Sequence, residues 1–310
     1  MVVHGSRVVT PSGIAPGAVV VRDGLISEVT SPGTAPDAHR VVDAGDAVVL
    51  PGLVDAHVHL NDPGRAEWEG FETGTRAAAA GGVTTVVDMP LNSVPVTTTV
   101  AALEAKTRAA SGRALVDYAL WGGAVPGELE HLAPLARAGV SGFKCFLVPS
   151  GIDEFPPLGR PELEGAMTRL AELGLRLLVH AELPGPLERA AGRAAGDRRR
   201  YATYLASRPP DAEDEAVALL VELAARTGCP VHVVHLSSAR ALPRLAQARR
   251  AGVPVTVETC PHYLTFAAEE IPDGATAFKC APPIRDAENR ERLWQGLADG
   301  IIDLVASDHS

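Results

Sequence analysis

From Pro51 onward, short apolar runs alternate with longer segments rich in Ala, Leu, Glu and Arg. The longer segments have helical composition, as at Phe71–Ala80, Thr98–Ala110 and Asp214–Thr227. The apolar runs predict eight buried strands, at Leu53–His59, Thr84–Met89, Val116–Trp121, Gly142–Leu147, Arg176–His180, Val231–His235, Val255–Thr259 and Asp303–Ala306. Eight strands with crossover helices predict an α/β fold, a (β/α)8 TIM-like barrel, whose active site lies at the C-terminal ends of its strands.

The first fifty residues have a different pattern. Short Val-rich pieces at Ala18–Arg22, His39–Asp43 and Ala47–Leu50 alternate with turns that contain Gly and Pro. This pattern is typical of a small antiparallel β-sheet. We therefore predict two domains, a β-rich subdomain over residues 1–50 and the barrel over residues 51–310.

Both predicted domains are expected to lack secondary-structure elements. A sheet as small as the N-terminal one is marginally stable in water, so we expect it to be half of a composite β-sandwich that requires further strands. The sequence ends two residues after Asp308, and no helix follows the eighth strand. We expect the barrel to be truncated at this point, with the C-terminal helix and the remaining sandwich strands absent.

The composition argues against several classes of partner. The chain carries 38 acidic residues against 28 Lys and Arg, and this net charge of −10 argues against nucleic acid or an anionic membrane. No apolar run reaches about 18 residues, and Met1–Gly5 begins no secretory signal. Four cysteines without paired spacing are typical of reduced thiols, so we expect a cytoplasmic protein. Two charged runs, Arg198–Arg200 and Asp211–Glu215, are predicted to be solvated faces.

The first barrel strand ends in two histidines, His57 and His59, one residue apart. Alternate side chains of a strand share a face, so these two imidazoles are expected to point the same way. Two neutral imidazoles at one point form half of a metal site. A strand-end pair of this kind is more often a matter of packing, and its interpretation depends on what the other strands contribute.

Lys144 lies in an apolar strand with aromatic residues on both sides. It either reaches outward to solvent, which is the commoner case for a lone lysine, or is poorly solvated. Desolvation would lower its pKa and leave a nucleophilic amine. Such an amine can form a Schiff base, or it can capture carbon dioxide as a carbamate that binds metal like a carboxylate.

Three further candidates lie at strand ends: His180, His235 and Asp308. Asp308 is a candidate metal ligand, general base or helix N-cap. Each histidine alone is more often a hydrogen-bonded core residue than a ligand, and we interpret His232 and His309 as structural. Four histidines, a lysine and an aspartate at five strand ends are hard to explain by packing. Together they suit a two-metal site with one bridging carboxylate-like group and one bridging hydroxide.

The sequence resembles the cyclic amidohydrolases of the amidohydrolase superfamily over essentially the whole chain. The segments that carry the resemblance are Pro51–His59, Gly142–Phe146, Leu178–His180, Val234–Ser238, Thr259–Tyr263 and Ala306–His309. The resemblance implies that two divalent ions, expected to be Zn²⁺ with Co²⁺, Mn²⁺ or Fe²⁺ as alternatives, are held by the two histidines of the first strand, a carboxylated lysine, two further histidines and a final aspartate. At the matching positions these are His57, His59, N6-carboxylated Lys144, His180, His235 and Asp308.

Within this family the sequence is most similar to the allantoinase branch, through Asp62–Arg65, Trp68–Gly74 and Met89–Asn92. Dihydroorotases usually carry an Arg at the position of Asn61, and hydantoinases and dihydropyrimidinases place a carbonyl-polarising Tyr at the position of Pro149. Both rival activities therefore lack a residue that they need, and both remain alternatives.

The resemblance implies hydrolysis of a cyclic ureide, with allantoin converted to allantoate and Asp308 serving as general base and then acid. Asn92 and His262 are candidate substrate contacts, although packing explains His262 equally well. A homo-oligomer, a dimer or a tetramer, is expected. A non-catalytic, amidohydrolase-like assembly partner is the alternative from a different class, and the presence of all six ligand positions argues against it.

Overall fold

A computed structural model describes residues 1–192 and 196–310 of the chain. These residues form two compact units, Met1–Leu53 and Val54–Ser310. The division lies three residues beyond the predicted boundary at residue 50. In the described part of the chain, no helix has both the length and the apolar character needed to cross a membrane.

The first unit is a five-stranded sheet in the order β3-β2-β1-β4, with β5 also paired to β1. Its strands are β1 (Val2–Thr10), β2 (Gly13–Arg22), β3 (Leu25–Thr30), β4 (Val41–Asp43) and β5 (Val48–Val49). The first three are antiparallel neighbours, whereas β4 and β5 run parallel to β1. The prediction of an antiparallel sheet is therefore wrong for these two strands. The connection over residues 31–40 crosses over and returns the chain in the direction of β1, which a tight hairpin turn cannot do.

The second unit contains the barrel strands in the predicted order. They are β6 (Leu53–Val58), β7 (Val83–Asp88), β8 (Asp117–Leu120), β9 (Gly122–Gly123), β10 (Phe143–Phe146), β11 (Leu177–His180), β12 (Val231–Val233), β13 (Val255–Thr259) and β14 (Leu304–Val305). The α-helices of the described residues are α1 (Phe71–Ala80), α2 (Val100–Ala110), α3 (Leu132–Arg137), α4 (Arg160–Leu173), α5 (Pro184–Ala191), α6 (Tyr201–Ser207), α7 (Asp211–Thr227), α8 (Leu242–Arg250), α9 (Pro261–Thr265) and α10 (Ala287–Ala298).

The strands pair in parallel, in the orders β6-β7-β8 and β9-β10-β11-β12-β13-β14. Only Trp121 separates β8 from β9, so these two form one barrel strand. The segment after β14 closes the ring against the first strand. Asp308 donates its backbone N–H to the His57 carbonyl at 3.0 Å, and His59 donates to the His309 carbonyl at 2.7 Å. Eight parallel strands thus close as a (β/α)8 barrel, as predicted.

Two features inside the barrel are dictated by particular residues. Gly142, just before β10, has φ +153°, and a Cβ there would lie 2.8 Å from the Arg176 carbonyl oxygen. Only glycine fits so close a backbone approach. Behind β7, the fully buried Lys106 donates to Asp88 at 2.5 Å and to the Met89 carbonyl at 2.8 Å. This pair braces helix α2 against the sheet.

Several predicted strand boundaries differ from the structure by one or two residues, and one predicted surface differs as well. Strand β12 ends at Val233, so His235 lies beyond its strand, and β14 ends at Val305, one residue before the predicted end. Arg198–Arg200 is exposed, as expected. The acidic run Asp211–Glu215 is not a uniformly solvated face, because Glu213 is buried and accepts hydrogen bonds from the backbone of two residues, Ser237 and Ser238.

Candidate metal centre

A cavity of about 380 Å³ opens at the C-terminal ends of the barrel strands. All six predicted metal ligands line it, together with Asn92; they are His57, His59, Lys144, His180, His235 and Asp308. Its volume is in the range of pockets that hold small organic ligands. His262 is not among the lining residues and stacks edge-on against Tyr263, with 4.2 Å between the ring centroids.

One half of the site is a cluster of His57, His59 and Asp308. The Oδ1 atom of Asp308 lies 3.1 Å from His57 Nε2 and 3.3 Å from His59 Nε2. One potential ligand atom from each of the three residues lies within 4.8 Å of those of the other two, which is a spacing that suits one metal ion.

The orientation of His57 is fixed from behind by Glu258 of β13. His57 Nδ1 lies 2.5 Å from Glu258 Oε1, and both side chains are fully buried. When the imidazole is neutral, donation from Nδ1 to this carboxylate leaves the lone pair on Nε2, as metal binding requires. That Nε2 is buried and makes no hydrogen bond to any described residue. A buried nitrogen of this kind needs a partner, and a metal ion is one that fits.

The other half of the site is formed by His180 and His235. His180 Nδ1 faces His235 Nε2 at 3.1 Å, and His180 Nε2 lies 2.7 Å from Glu182. A buried carboxylate again engages one imidazole nitrogen and leaves the other facing a candidate ligand. The His180 ring is stacked on Phe146, with 4.8 Å between centroids, so its orientation is fixed on both sides.

Lys144 does not reach outward to solvent. The side chain is 1% exposed, and Nζ lies 4.9 Å from the centre of the Phe146 ring. Within residues 1–192 and 196–310, no carboxylate oxygen lies within 4.0 Å of this amine. Burial lowers the pKa of Lys144 to about 8, although the charges of Asp308 and Glu258 oppose this shift. A substantial fraction of the amine is therefore neutral near physiological pH.

Burial and charge divide the histidines into two kinds. Burial lowers the pKa values of His59, His180 and His235, so these imidazoles are neutral and have a lone pair to offer. Burial acts in the same direction on His57, but the charges of Asp308 and Glu258 outweigh it and raise its pKa to about 9. Burial raises the pKa of Asp308, yet the nearby histidines hold it well below its usual range.

The backbone around the cavity is unusual. Asn61, Asn92, His235 and Asp308 have φ values of +52°, +69°, +39° and +52°. Non-glycine residues adopt this left-handed region rarely and at a cost of about 1–3 kcal/mol each. Such strain is concentrated where side chains must be aimed at a common point, and here it occurs where the chain leaves the strand ends.

The sequence interpretation missed the residues that support the ligands. Glu258, Glu182 and Arg208 were not selected, although Arg208 lines the cavity and binds both carboxylate oxygens of Glu182. A buried acid within an apolar strand is a signal that could have identified Glu258. The spacing of Glu182 from His180 is a weaker signal, and nothing in the local sequence distinguishes Arg208.

The arrangement offers four imidazoles, one amine and one carboxylate around one cavity, and the charge of Arg208 beside it is neutralised by Glu182. Donors of these types suit divalent ions such as Zn²⁺. Such a site activates water and polarises a carbonyl group.

Comparison with known proteins agrees with this geometry. Residues 48–310 match the amidohydrolase family, and the chain belongs to that family. The allantoinase of Streptomyces avermitilis is 55% identical over 311 aligned positions, which cover 100% of this chain and 69% of that enzyme. The allantoinase of Saccharomyces cerevisiae is 52% identical over 277 positions, 88% of this chain and 60% of that enzyme. The chain thus spans roughly two thirds of the length of these relatives.

A solved structure confirms the barrel prediction. The L-hydantoinase (dihydropyrimidinase) from Arthrobacter aurescens superimposes with a TM-score of 0.92 and 34% identity, covering 99% of this chain and 68% of that one. The prediction of a TIM-like amidohydrolase barrel with a small N-terminal sheet is therefore confirmed.

Proposed function

We propose that this chain carries the catalytic barrel of an allantoinase, which hydrolyses the hydantoin ring of allantoin to allantoate. The observation that carries the proposal is the meeting of all six predicted ligand side chains on one cavity at the strand ends. The 55% identity to the Streptomyces avermitilis allantoinase supports allantoin as the substrate.

The residues that would hold two divalent ions, with Zn²⁺ as the proposed metal, are His57, His59, Lys144, His180, His235 and Asp308. The metals would supply a polarised scissile carbonyl and an acidified water. Lys144 would act as a carbamate, formed when its neutral amine captures carbon dioxide. The burial of this amine and its lack of a nearby carboxylate partner support that role.

Asp308 would move the proton. Its carboxylate is ionised at neutral pH and lies at the cavity, where it can accept a proton from the attacking water. A C–O bond forms at the ring carbonyl and the C–N bond breaks. The same proton then passes to the departing ring nitrogen, which becomes a free ureido NH₂ group, and the other proton of the water is released as the new carboxyl group ionises.

Asn92 is proposed to contact the substrate, because it lines the cavity and its left-handed backbone aims it there. His262 lies outside the lining of the cavity, so its proposed contact with the substrate has less support than that of Asn92. The cavity of about 380 Å³ accommodates the hydantoin ring and the ureido group of allantoin.

We also propose that the protein is a cytoplasmic homo-oligomer, either a dimer or a tetramer.

The test compares ring opening of allantoin, hydantoin and dihydroorotate by protein reconstituted with zinc and bicarbonate. We expect allantoin to have the highest kcat/KM. A higher kcat/KM with hydantoin or dihydroorotate would overturn the substrate and retain the hydrolytic chemistry. If the protein binds two metal ions and opens none of the three rings, the proposed activity is wrong.

A further inference from the structure

Glu258 is a buried carboxylate that accepts hydrogen bonds from three residues, two of which are candidate metal ligands. Oε1 accepts from His57 Nδ1 at 2.5 Å and from the backbone N–H of His235 at 3.2 Å. Oε2 accepts from His232 Nε2 at 2.9 Å. The side chain is fully buried and does not line the cavity, so it does not reach a substrate or a metal ion directly.

We propose that Glu258 is a positioning residue that aims two metal ligands, His57 and His235, which come from different barrel strands. This inference rests on the proposed metal-dependent function. The carboxylate selects the tautomer of His57 that leaves Nε2 free, and it holds the backbone of His235 in its left-handed conformation at φ +39°. One side chain in β13 thereby orients a ligand at the end of β6 and another just after β12.

His232 is the remaining side-chain partner of Glu258, and its own contact with Thr256 allows the network to be tested by mutation. Its Nδ1 atom lies 2.8 Å from the Thr256 hydroxyl, which in turn lies 3.4 Å from the Val231 carbonyl oxygen. In the native chain, His232 donates to Glu258 through Nε2 and accepts from the Thr256 hydroxyl through Nδ1. If His232 takes the other tautomer, its Nδ1 donates to the Thr256 hydroxyl, which can then donate to the Val231 carbonyl oxygen. The hydrogen bonds around His232 can therefore form with either tautomer.

The substitution Glu258→Gln tests this network, because an amide has one accepting end and one donating end, whereas a carboxylate accepts at both. The amide oxygen can still accept from His57 and His235, provided that the amide NH₂ group faces His232. His232 then accepts through Nε2 and donates through Nδ1 to Thr256. Without the Thr256 hydroxyl, His232 Nδ1 has no acceptor in that arrangement. If the amide reverses, its NH₂ group faces His57 Nδ1, and the His57 proton must then lie on Nε2, the nitrogen that should face the metal.

The experiment measures zinc affinity by competition with a chromophoric chelator, and ligand geometry from the visible spectrum of the cobalt-substituted protein. Glu258→Gln and Thr256→Val should each change zinc affinity by less than about 2-fold, whereas the double variant should lose about 10–100-fold, the usual effect of removing such a support. The cobalt spectrum should change in the double variant only. Additive effects of the two substitutions, or unchanged affinity in the double variant, would overturn the proposal.

Two further variants separate positioning from general stability. Glu213 is an equally buried carboxylate that pairs with Arg285 at 2.5 Å and contacts no candidate ligand. Glu213→Gln should lower the unfolding midpoint and leave zinc affinity unchanged, while Glu258→Met should lower zinc affinity in the folded protein. If Glu258→Met does not fold, the Gln and Val variants decide the question. Failure of the native protein to bind zinc would refute the proposed function itself, which is a separate outcome.

Discussion

Lys144 and Lys106 are both buried, and the same substitution should have opposite effects at the two positions. Lys144 is 1% exposed, with no carboxylate partner at salt-bridge distance among the described residues, whereas Lys106 is paired with Asp88 at 2.5 Å. We expect Lys144→Met to stabilise the metal-free protein and Lys106→Met to destabilise it. The proposed function predicts that the first lysine serves the chemistry at a cost in stability, while the second is structural.

The magnitude for Lys144 follows from its pKa, which burial lowers from 10.5 to about 8. A shift of this size corresponds to about 3 kcal/mol, because each pKa unit is worth about 1.4 kcal/mol. Below pH 8 the folded protein must hold the charged amine, so the full cost is present. As the pH rises from 8 to 10.5 the folded state loses the proton before the unfolded state does, and the cost disappears.

The assay is urea unfolding of chelator-treated protein at pH 7 and at pH 9.5. Lys144→Met should raise the free energy of unfolding by up to about 3 kcal/mol at pH 7, and by less than half of that at pH 9.5. Lys106→Met should lower it by about 3–5 kcal/mol, because Asp88 is left as an unpaired buried charge. A Lys144→Met variant that is less stable than the native chain at pH 7 would refute the reasoning.

Three other predictions concern the candidate metal centre and the barrel strands around it. Lys144→Ala should lose bound metal and activity, and short carboxylic acids should partly restore both; a fully active variant would contradict the carbamate role. Asp308→Asn should lower kcat by about 10²–10⁴-fold in steady-state assays, and a smaller loss would assign proton transfer to another group. Gly142→Ala should lower the free energy of unfolding by about 2 kcal/mol or more, measured by urea, because its Cβ meets a backbone oxygen 2.8 Å away. Gly174→Ala, at φ +67° in open space, is its control and should cost only about 1 kcal/mol; equal losses would show that the close approach has no effect.

The apolar periodicity was sufficient to predict the barrel, because each buried strand must consist largely of apolar residues. The prediction of strand β13 matches the structure at both ends, and helix α1 does so as well. The end of β12 was misplaced, since His235 continues the apparent pattern while the backbone has already turned. Local periodicity carries no signal for such a turn.

The candidate ligands were predictable, whereas their supports were not. Each candidate ligand lies within or just after an apolar run, which is a local pattern visible in one sequence. Glu258 contacts His57 across 201 positions of the chain, and the Arg208–Glu182 contact depends on where a connection folds back. The parallel pairing of β4 with β1 was missed for the same reason, because it is set by the course of the 31–40 connection.

The central claim is that six side chains on one cavity form a two-metal hydrolytic centre. The most direct test is the metal content of the purified protein after reconstitution with zinc and bicarbonate, compared with His57→Asn and His235→Asn. The account predicts about two zinc ions per native chain and a clear loss in each variant. A native chain without bound metal, or unchanged metal content in both variants, would contradict it.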